Sequence, residues 1–234
     1  MSLLRARGLQ RHFGGIAAVD GVDFDLEKGE IHGLIGPNGA GKTTFVSLLS
    51  GRIAPQEGRI TLEGEDITAL PAHARVRRGL GYTFQITAIF PGLSVFDNVA
   101  LAVQGGRGRG DLKALVARAL AQVGLEALRD EEAGTLSYGH LRLLELAMGL
   151  ALQPKVLILD EPTQGLAAGE IAGFIQLVRG LTPEVSVLLI EHNMAVVMEL
   201  AQRITVLNFG RVLAQGSPAE IRANKAVQEA YLGA

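Results

Sequence analysis

The chain has 234 residues, 48% of them hydrophobic and 20% charged, with a net charge of −2 and no cysteine. That length suits one domain, or one domain carrying a subdomain. The charge balance argues against nucleic-acid binding through a general basic field, and the missing thiol excludes disulfides, cysteine-ligated metals and a cysteine nucleophile.

The opening stretch, MSLLRARGLQRHFGG, lacks the long apolar core and small-residue cleavage site of a signal peptide. Apolar runs such as VLIL at 156–159 and VLLI at 187–190 fall far short of the ~18 residues that span a bilayer. The expectation is a chain that is soluble by itself and held at a membrane, if it works there, by another protein.

Residues 1–35 alternate apolar and polar positions between glycine-centred turns, which predicts antiparallel strands and then a buried strand at Ile31–Ile35. TTFVSLLSG predicts a short helix stopped by Gly51. EGRITLEGEDI reads as a further strand and hairpin. Residues 95–128 read as helical, interrupted by GGRGRGD at 105–111, and residues 140–152 read as helical too. The glycine run follows no good strand, so a dinucleotide loop is the weaker reading and flexible surface the better one.

KVLILDEP and VSVLLIEHN are short apolar runs ending in acidic or histidine residues, as buried parallel strands with functional C-terminal ends do. AGEIAGFIQLVRGL and AVVMELAQRI predict helices, and the tail ITVLNFGRVLAQGSPAEI predicts a hairpin and then a helix. The economical reading is an α/β core with a helical insertion near 88–152.

Two stretches carry chemistry on residue types alone. Gly36-Pro37-Asn38-Gly39-Ala40-Gly41-Lys42-Thr43 matches G-x-x-x-x-G-K-[ST], between an expected strand and an expected helix. Glycines let the backbone wrap phosphates with its N–H groups inward, and the helix N-terminus adds positive potential. Lys42 can reach the β and γ phosphates, and Thr43 can ligate Mg²⁺. Val156–Leu159 then lead into Asp160 and Glu161. Asp160 can hold Mg²⁺, and Glu161 is placed to polarise an attacking water. A third stretch, LSYGH at 136–140, opens an apolar helical pattern with Ser137 and Gly139 at its start, a second place to hold an anion.

GPNGAGKTT, TFQ, LSYGH, LILDEP and IEHN, in that order, resemble the ATP-hydrolysing subunit of an ABC transporter. The resemblance covers nearly the whole chain. It implies a P-loop NTPase core of the RecA-like kind with an antiparallel β subdomain and an α-helical subdomain, divided as 1–87 with 153–234 and 88–152. It implies ATP and Mg²⁺ as ligands, with Asn38, Gly39, Gly41, Lys42, Thr43 and Thr44 at the phosphates. Gln85 falls where the family's glutamine contacts the metal and attacking water and senses the membrane subunits. His192 matches the histidine that contacts the γ-phosphate. Phe13 matches the aromatic that stacks on adenine, with Val19 packing nearby.

The resemblance also explains a second anion site. In this family LSYGH contacts the γ-phosphate of ATP held by another copy, so Ser137 and Gly139 complete a neighbour's site in a head-to-tail dimer. The chain departs from the usual signature at Tyr138-Gly139-His140, where Gly-Gly-Gln is common, and at Ala167, where aspartate is common.

A finer similarity, in TFQITAIFPGLSVFDNVALA, LSYGHLRLLELA and the terminal VQEAYLG, is to the first ATPase type of branched-chain amino acid importers, a group that also serves urea and short amides. It implies a second ATPase subunit, identical or paralogous, and permease subunits docking near Gln85 to Phe96. It further implies a separate solute-binding protein acting indirectly, no nucleic-acid partner, and a peripheral place on the cytoplasmic face of the inner membrane. The rivals are a lipopolysaccharide-export ATPase, a soluble ABC protein acting on DNA or ribosomes, and a plain nucleotide kinase. The kinase would lack LSYGH followed by an acid-ending strand.

Overall fold

A computed structural model of the chain describes residues 2–83, 89–106 and 110–232. Two sheets organise it. The first is antiparallel, in the order β2-β1-β4-β5, built from β1 (Ser2–Phe13), β2 (Ile16–Glu27), β4 (Glu57–Leu62) and β5 (Glu65–Asp66). The second runs β10-β9-β3-β8-β7-β6. Its members are β3 (Ile31–Ile35), β6 (Leu80–Thr83), β7 (Val156–Asp160), β8 (Ser186–Ile190), β9 (Arg203–Asn208) and β10 (Arg211–Gly216). β6 to β9 and β3 pair in parallel, and β10 closes the edge as the antiparallel half of a hairpin. This is the α/β fold of a P-loop NTPase core with an antiparallel β subdomain and an α-helical subdomain.

The continuous apolar runs follow from burial on both faces of the parallel sheet. Val156, Ile158, Leu188 and Ile190 face one core, with Phe24, Leu26, Leu34, Phe45 and Leu48. That core joins the antiparallel sheet to α1 (Lys42–Ser50), with the Phe24 and Phe45 rings edge to face at 5.5 Å. Leu157, Leu159, Val187 and Leu189 face a second core made with helices α3 (Val95–Gly105), α4 (Leu112–Val123), α5 (Tyr138–Ala151) and α6 (Ala168–Leu181). Each such side chain, fully buried, contributes roughly 1.5–3 kcal/mol. A third cluster packs Ile204 and Val206 under α7 (Met194–Leu200), α8 (Pro218–Ala223) and α9 (Lys225–Leu232).

The hairpins, the buried strands and the glycine-capped α1 lie where the pattern predicts them. Gly51 takes a left-handed conformation there, and its N–H returns to the Ser47 and Leu48 carbonyls. Three details differ. The helix expected over AVVMELAQRI stops at Leu200, and Arg203 already begins β9. Gln202 is held instead by β3, its N–H on the Ile31 carbonyl at 2.9 Å and its side-chain oxygen accepting from the Ile31 N–H. The short α2 (Ala72–Val76) and the edge strand β6 were not expected. The helix after LSYGH begins at Tyr138, which places Gly139 and His140 in its first turn.

Arg75 on α2 explains what that short helix does. It is almost wholly buried, and its guanidinium donates to the Leu48 and Leu49 carbonyls at 2.7 Å and to those of Thr68 and Leu70. It therefore closes the C-terminal end of α1, where unpaired carbonyls and the helix dipole favour a cation. Burial pulls the guanidinium down to about 10, against the pull of Asp66.

Candidate nucleotide site

The phosphate-loop segment runs from the end of β3 into α1. Gly41 has φ +99°, and a Cβ there would lie 2.1 Å from the Ala18 carbonyl oxygen. A Cβ on Gly36 would lie 2.2 Å from the Leu207 carbonyl oxygen. Only glycine fits at either place. The Gly210 N–H donates to the Ala40 carbonyl at 3.0 Å, and the Asp20 N–H to the Gly210 carbonyl at 2.8 Å. The β9–β10 turn thus braces the loop against β2. Asn38, Gly39 and Thr43 are exposed at its rim, and Thr44 is half-buried.

Lys42 is buried, with its ammonium on the Gly36 carbonyl at 2.6 Å and the Pro37 carbonyl at 3.1 Å. Burial lowers its pKa, opposed by the negative charges of Glu161 and Asp160. Asp160 ends β7 and Glu161 follows it. Burial raises the Asp160 carboxyl, and the Glu161 charge adds to the rise, while a hydrogen bond from the Tyr82 hydroxyl at 2.7 Å opposes it.

Glu161 has φ +50°, a left-handed conformation uncommon for a residue with a Cβ. Its N–H donates to the Ile190 carbonyl at 2.9 Å, which ties the end of β7 to the end of β8. Its Oε1 lies 2.7 Å from Nε2 of His192, the first residue but one after β8. Glu161 and His192, read separately from the sequence, therefore meet.

Glu191 went unnoticed in the sequence and holds this junction together. Its buried carboxylate accepts from the Thr163 N–H at 2.8 Å and hydroxyl at 2.6 Å, and from the His192 and Asn193 N–H groups. A glutamate between isoleucine and histidine at a strand end, in IEHN, was the available signal.

The remaining expected residues lie elsewhere. Phe13 ends β1, 47% exposed, with the Arg11 guanidinium 4.9 Å from its ring centroid. Val19 pairs with Arg11 across the β1–β2 ladder and is wholly buried in the core. Its side chain packs inside the core beside the strand that ends at Phe13. Gln85 lies outside the described residues, as do 84–88 and the 107–109 part of GGRGRGD.

Ser137 caps α5, its hydroxyl accepting from the His140 N–H at 3.3 Å. Gly139 is buried against α6: a Cβ there would lie 2.2 Å from Glu170 Oε1. Glu170 in turn accepts from the Ala167 N–H at 2.8 Å, covering a helix start where alanine supplies no acceptor. The Tyr138 hydroxyl accepts from Arg142 at 2.7 Å.

The sequence profile of the ABC transporter family matches residues 19–164, from β2 through the phosphate loop to just past the acidic pair. The chain belongs to the ABC transporter family. It is the ATP-binding subunit of a transporter, in a family of ATPases. A second family, described as branched-chain amino acid ATP-binding cassette transporter, matches residues 211–234.

Among curated relatives in the ABC family, the chain is 38% identical to the high-affinity branched-chain amino acid transport ATP-binding protein BraF of Pseudomonas aeruginosa, over 99% of this chain and 98% of that protein. It is 39% identical, with the same coverage, to LivG of Salmonella typhimurium, which carries the same description. It is 35% identical to the lipopolysaccharide export system ATP-binding protein LptB of Escherichia coli, over 100% of this chain and 98% of that one. The ADP conformation of a solved ABC transporter cassette superposes with a TM-score of 0.90 at 28% identity, covering 100% of both chains. A nucleotide-free cassette gives 0.91 at 27% identity, also with full coverage of both. No helix among the described residues is long and apolar enough to cross a membrane.

Proposed function

We propose that the chain powers import of branched-chain amino acids, or of related small solutes such as urea and short amides, as one of two ATPase subunits on a membrane permease. The observation that carries the solute class is the match of residues 211–234, outside the general cassette match, to the family described for branched-chain amino acids. The names of BraF and LivG support it. Lipopolysaccharide export is the second reading, favoured by the 35% identity to LptB over its whole length.

In the proposed mechanism, Phe13 stacks on adenine, and Asn38, Gly39, Gly41, Thr43 and Thr44 line the phosphates. Lys42 exchanges the Gly36 and Pro37 carbonyls for the β and γ phosphate oxygens. Glu161 takes the proton of the attacking water. His192, 2.7 Å from that carboxylate, orients it and reaches the γ-phosphate. Thr43 and Asp160, with Gln85, would hold the metal. A hydroxyl, a carboxylate and an amide oxygen are hard donors that would suit Mg²⁺. Bound there, Mg²⁺ supplies positive charge to the triphosphate.

Ser137 and Gly139 serve the ATP of the second subunit, identical or paralogous, so that ATP closes the pair and hydrolysis opens it. The ATPase core, in this reading, is 1–87 with 153–234, and 88–152 is the helical subdomain. The permease docks near Gln85 to Phe96, and a solute-binding protein acts only through the permease. Nucleic acid is not a proposed partner. The working place is peripheral, on the cytoplasmic face of the inner membrane.

Uptake of radiolabelled leucine by cells lacking this chain tests the reading. Loss of uptake, restored by the wild-type chain but not by Glu161→Gln, is expected. Unchanged uptake of leucine, urea and acetamide with defective lipopolysaccharide export would move the assignment to the second reading.

A further inference from the structure

Tyr82 has no part in the mechanism above, yet its hydroxyl holds Asp160. It lies on β6, the edge strand, opposite Ile158 in the parallel β6–β7 ladder. Asp160 is two residues beyond Ile158, and alternate residues of a strand share a face. The phenol therefore reaches along that face, and its hydroxyl donates to Asp160 Oδ2 at 2.7 Å. Arg52, just past the end of α1, covers the ring at 5.5 Å, and its Nη1 stands 3.4 Å from the same hydroxyl. Asp160 itself is buried, only 6% exposed.

We propose that Tyr82 is a positioning residue that aims the Asp160 carboxylate at a bound divalent cation. A carboxylate removed from water needs a donor to stay ionised, and one pinned oxygen also fixes the plane of the group. With Oδ2 held by the phenol, Oδ1 would be left for the cation. Groups that hydrogen-bond a metal-ligating carboxylate orient it, and their loss commonly costs about 10–100-fold in metal affinity. Arg52 lies over the ring and reaches the same hydroxyl, so the end of the phosphate-loop helix and the metal carboxylate are linked through it. The inference rests on the reading of Asp160 as a metal ligand.

Mn²⁺ is a spectroscopic substitute for Mg²⁺. Its affinity for the ADP-saturated full chain is read by electron paramagnetic resonance, and ADP affinity without metal by fluorescence, in wild type, Tyr82→Phe and Asp160→Asn. Phenylalanine keeps the ring beneath Arg52 and removes only the hydroxyl. Tyr82→Phe should weaken Mn²⁺ binding about 10-fold, with metal-free ADP affinity unchanged, and Asp160→Asn should weaken it at least as much. Weakening by Asp160→Asn alone would reduce the phenol to a structural hydrogen bond and overturn the inference. Unchanged Mn²⁺ affinity in Asp160→Asn would overturn the metal-ligand reading beneath it. Equal loss of metal-free ADP binding in Tyr82→Phe would also overturn it, by showing a general distortion of the site.

Discussion

Nε2 of His192 stands 2.7 Å from Oε1 of Glu161, although the two residues follow different strands, β8 and β7. The Glu161 backbone is left-handed there, and its N–H donates to the Ile190 carbonyl. Glu161→Gln keeps the shape and removes the base. ATP binding should persist while turnover falls by roughly 10²–10⁴, equivalent to about 3–5 kcal/mol of barrier. Steady-state hydrolysis close to the wild-type rate would remove Glu161 from the role of base.

Lys42 and Phe13 separate the two ends of the nucleotide. Lys42→Ala should weaken ATP binding by about 1.5–3 kcal/mol, the worth of a charged hydrogen bond. Phe13→Ala should cost about 1–3 kcal/mol, by comparison with bases stacked on aromatics. It should weaken ATP and GTP alike, because a ring face reads no base edge. Isothermal titration with both nucleotides checks this, and a Phe13→Ala protein that newly discriminates between them would refute stacking.

Much of this was legible in the sequence because the phosphate loop and the acid-ending strands are local patterns, in which neighbouring residues do one job. What stayed hidden is made by residues far apart in the chain. Arg75 closes a helix that ends 25 residues earlier, Glu191 gathers Thr163 across two strands, and β6 has only four residues. Val19 sits beside the site in sequence terms but points into the core, since a strand turns alternate residues to opposite faces.

Gly139 should be sensitive for a reason internal to the subunit. A β-carbon displaces the Glu170 carboxylate from the Ala167 N–H. Gly139→Ala should then cost about 0.5–2 kcal/mol, the value of a lost helix cap. In a Glu170→Ala background the same change should add little further cost. Urea denaturation of the four proteins gives the coupling directly; simple additivity would show that Glu170 is not what the methyl group meets.

Acid should destabilise the fold through His32. It is fully buried, with Nε2 2.8 Å from the Thr205 hydroxyl and Nδ1 3.2 Å from Glu30 Oε1. Burial lowers its pKa below 6.5, outweighing the opposing pull of Glu30. The unfolded chain therefore takes up this proton first as pH falls. Stability is fully present above pH 6.5 and declines as the pH drops from there towards the folded value. Glu30 acts in the same sense lower down: burial would raise it, but hydrogen bonds from His32, Glu27 and Arg203 bring it below 4.5. His32→Gln should flatten the upper part of a plot of urea midpoint against pH. An unchanged slope between neutral and mildly acid pH would place the acid sensitivity elsewhere.

The central claim is that the ATP held by one copy is covered by Ser137 and Gly139 of the other. The chain has no cysteine of its own, so two single-cysteine proteins of different mass can be mixed. One carries Asn38→Cys at the exposed rim of the phosphate loop and the other Ser137→Cys at the start of α5, both with Glu161→Gln to retain ATP. A short bis-maleimide should join the two chains into a mixed dimer when ATP and Mg²⁺ are present, and not in their absence or with Lys42→Ala in the chain bearing Asn38→Cys. No ATP-dependent mixed dimer, with each chain still binding ATP, would contradict the composite site.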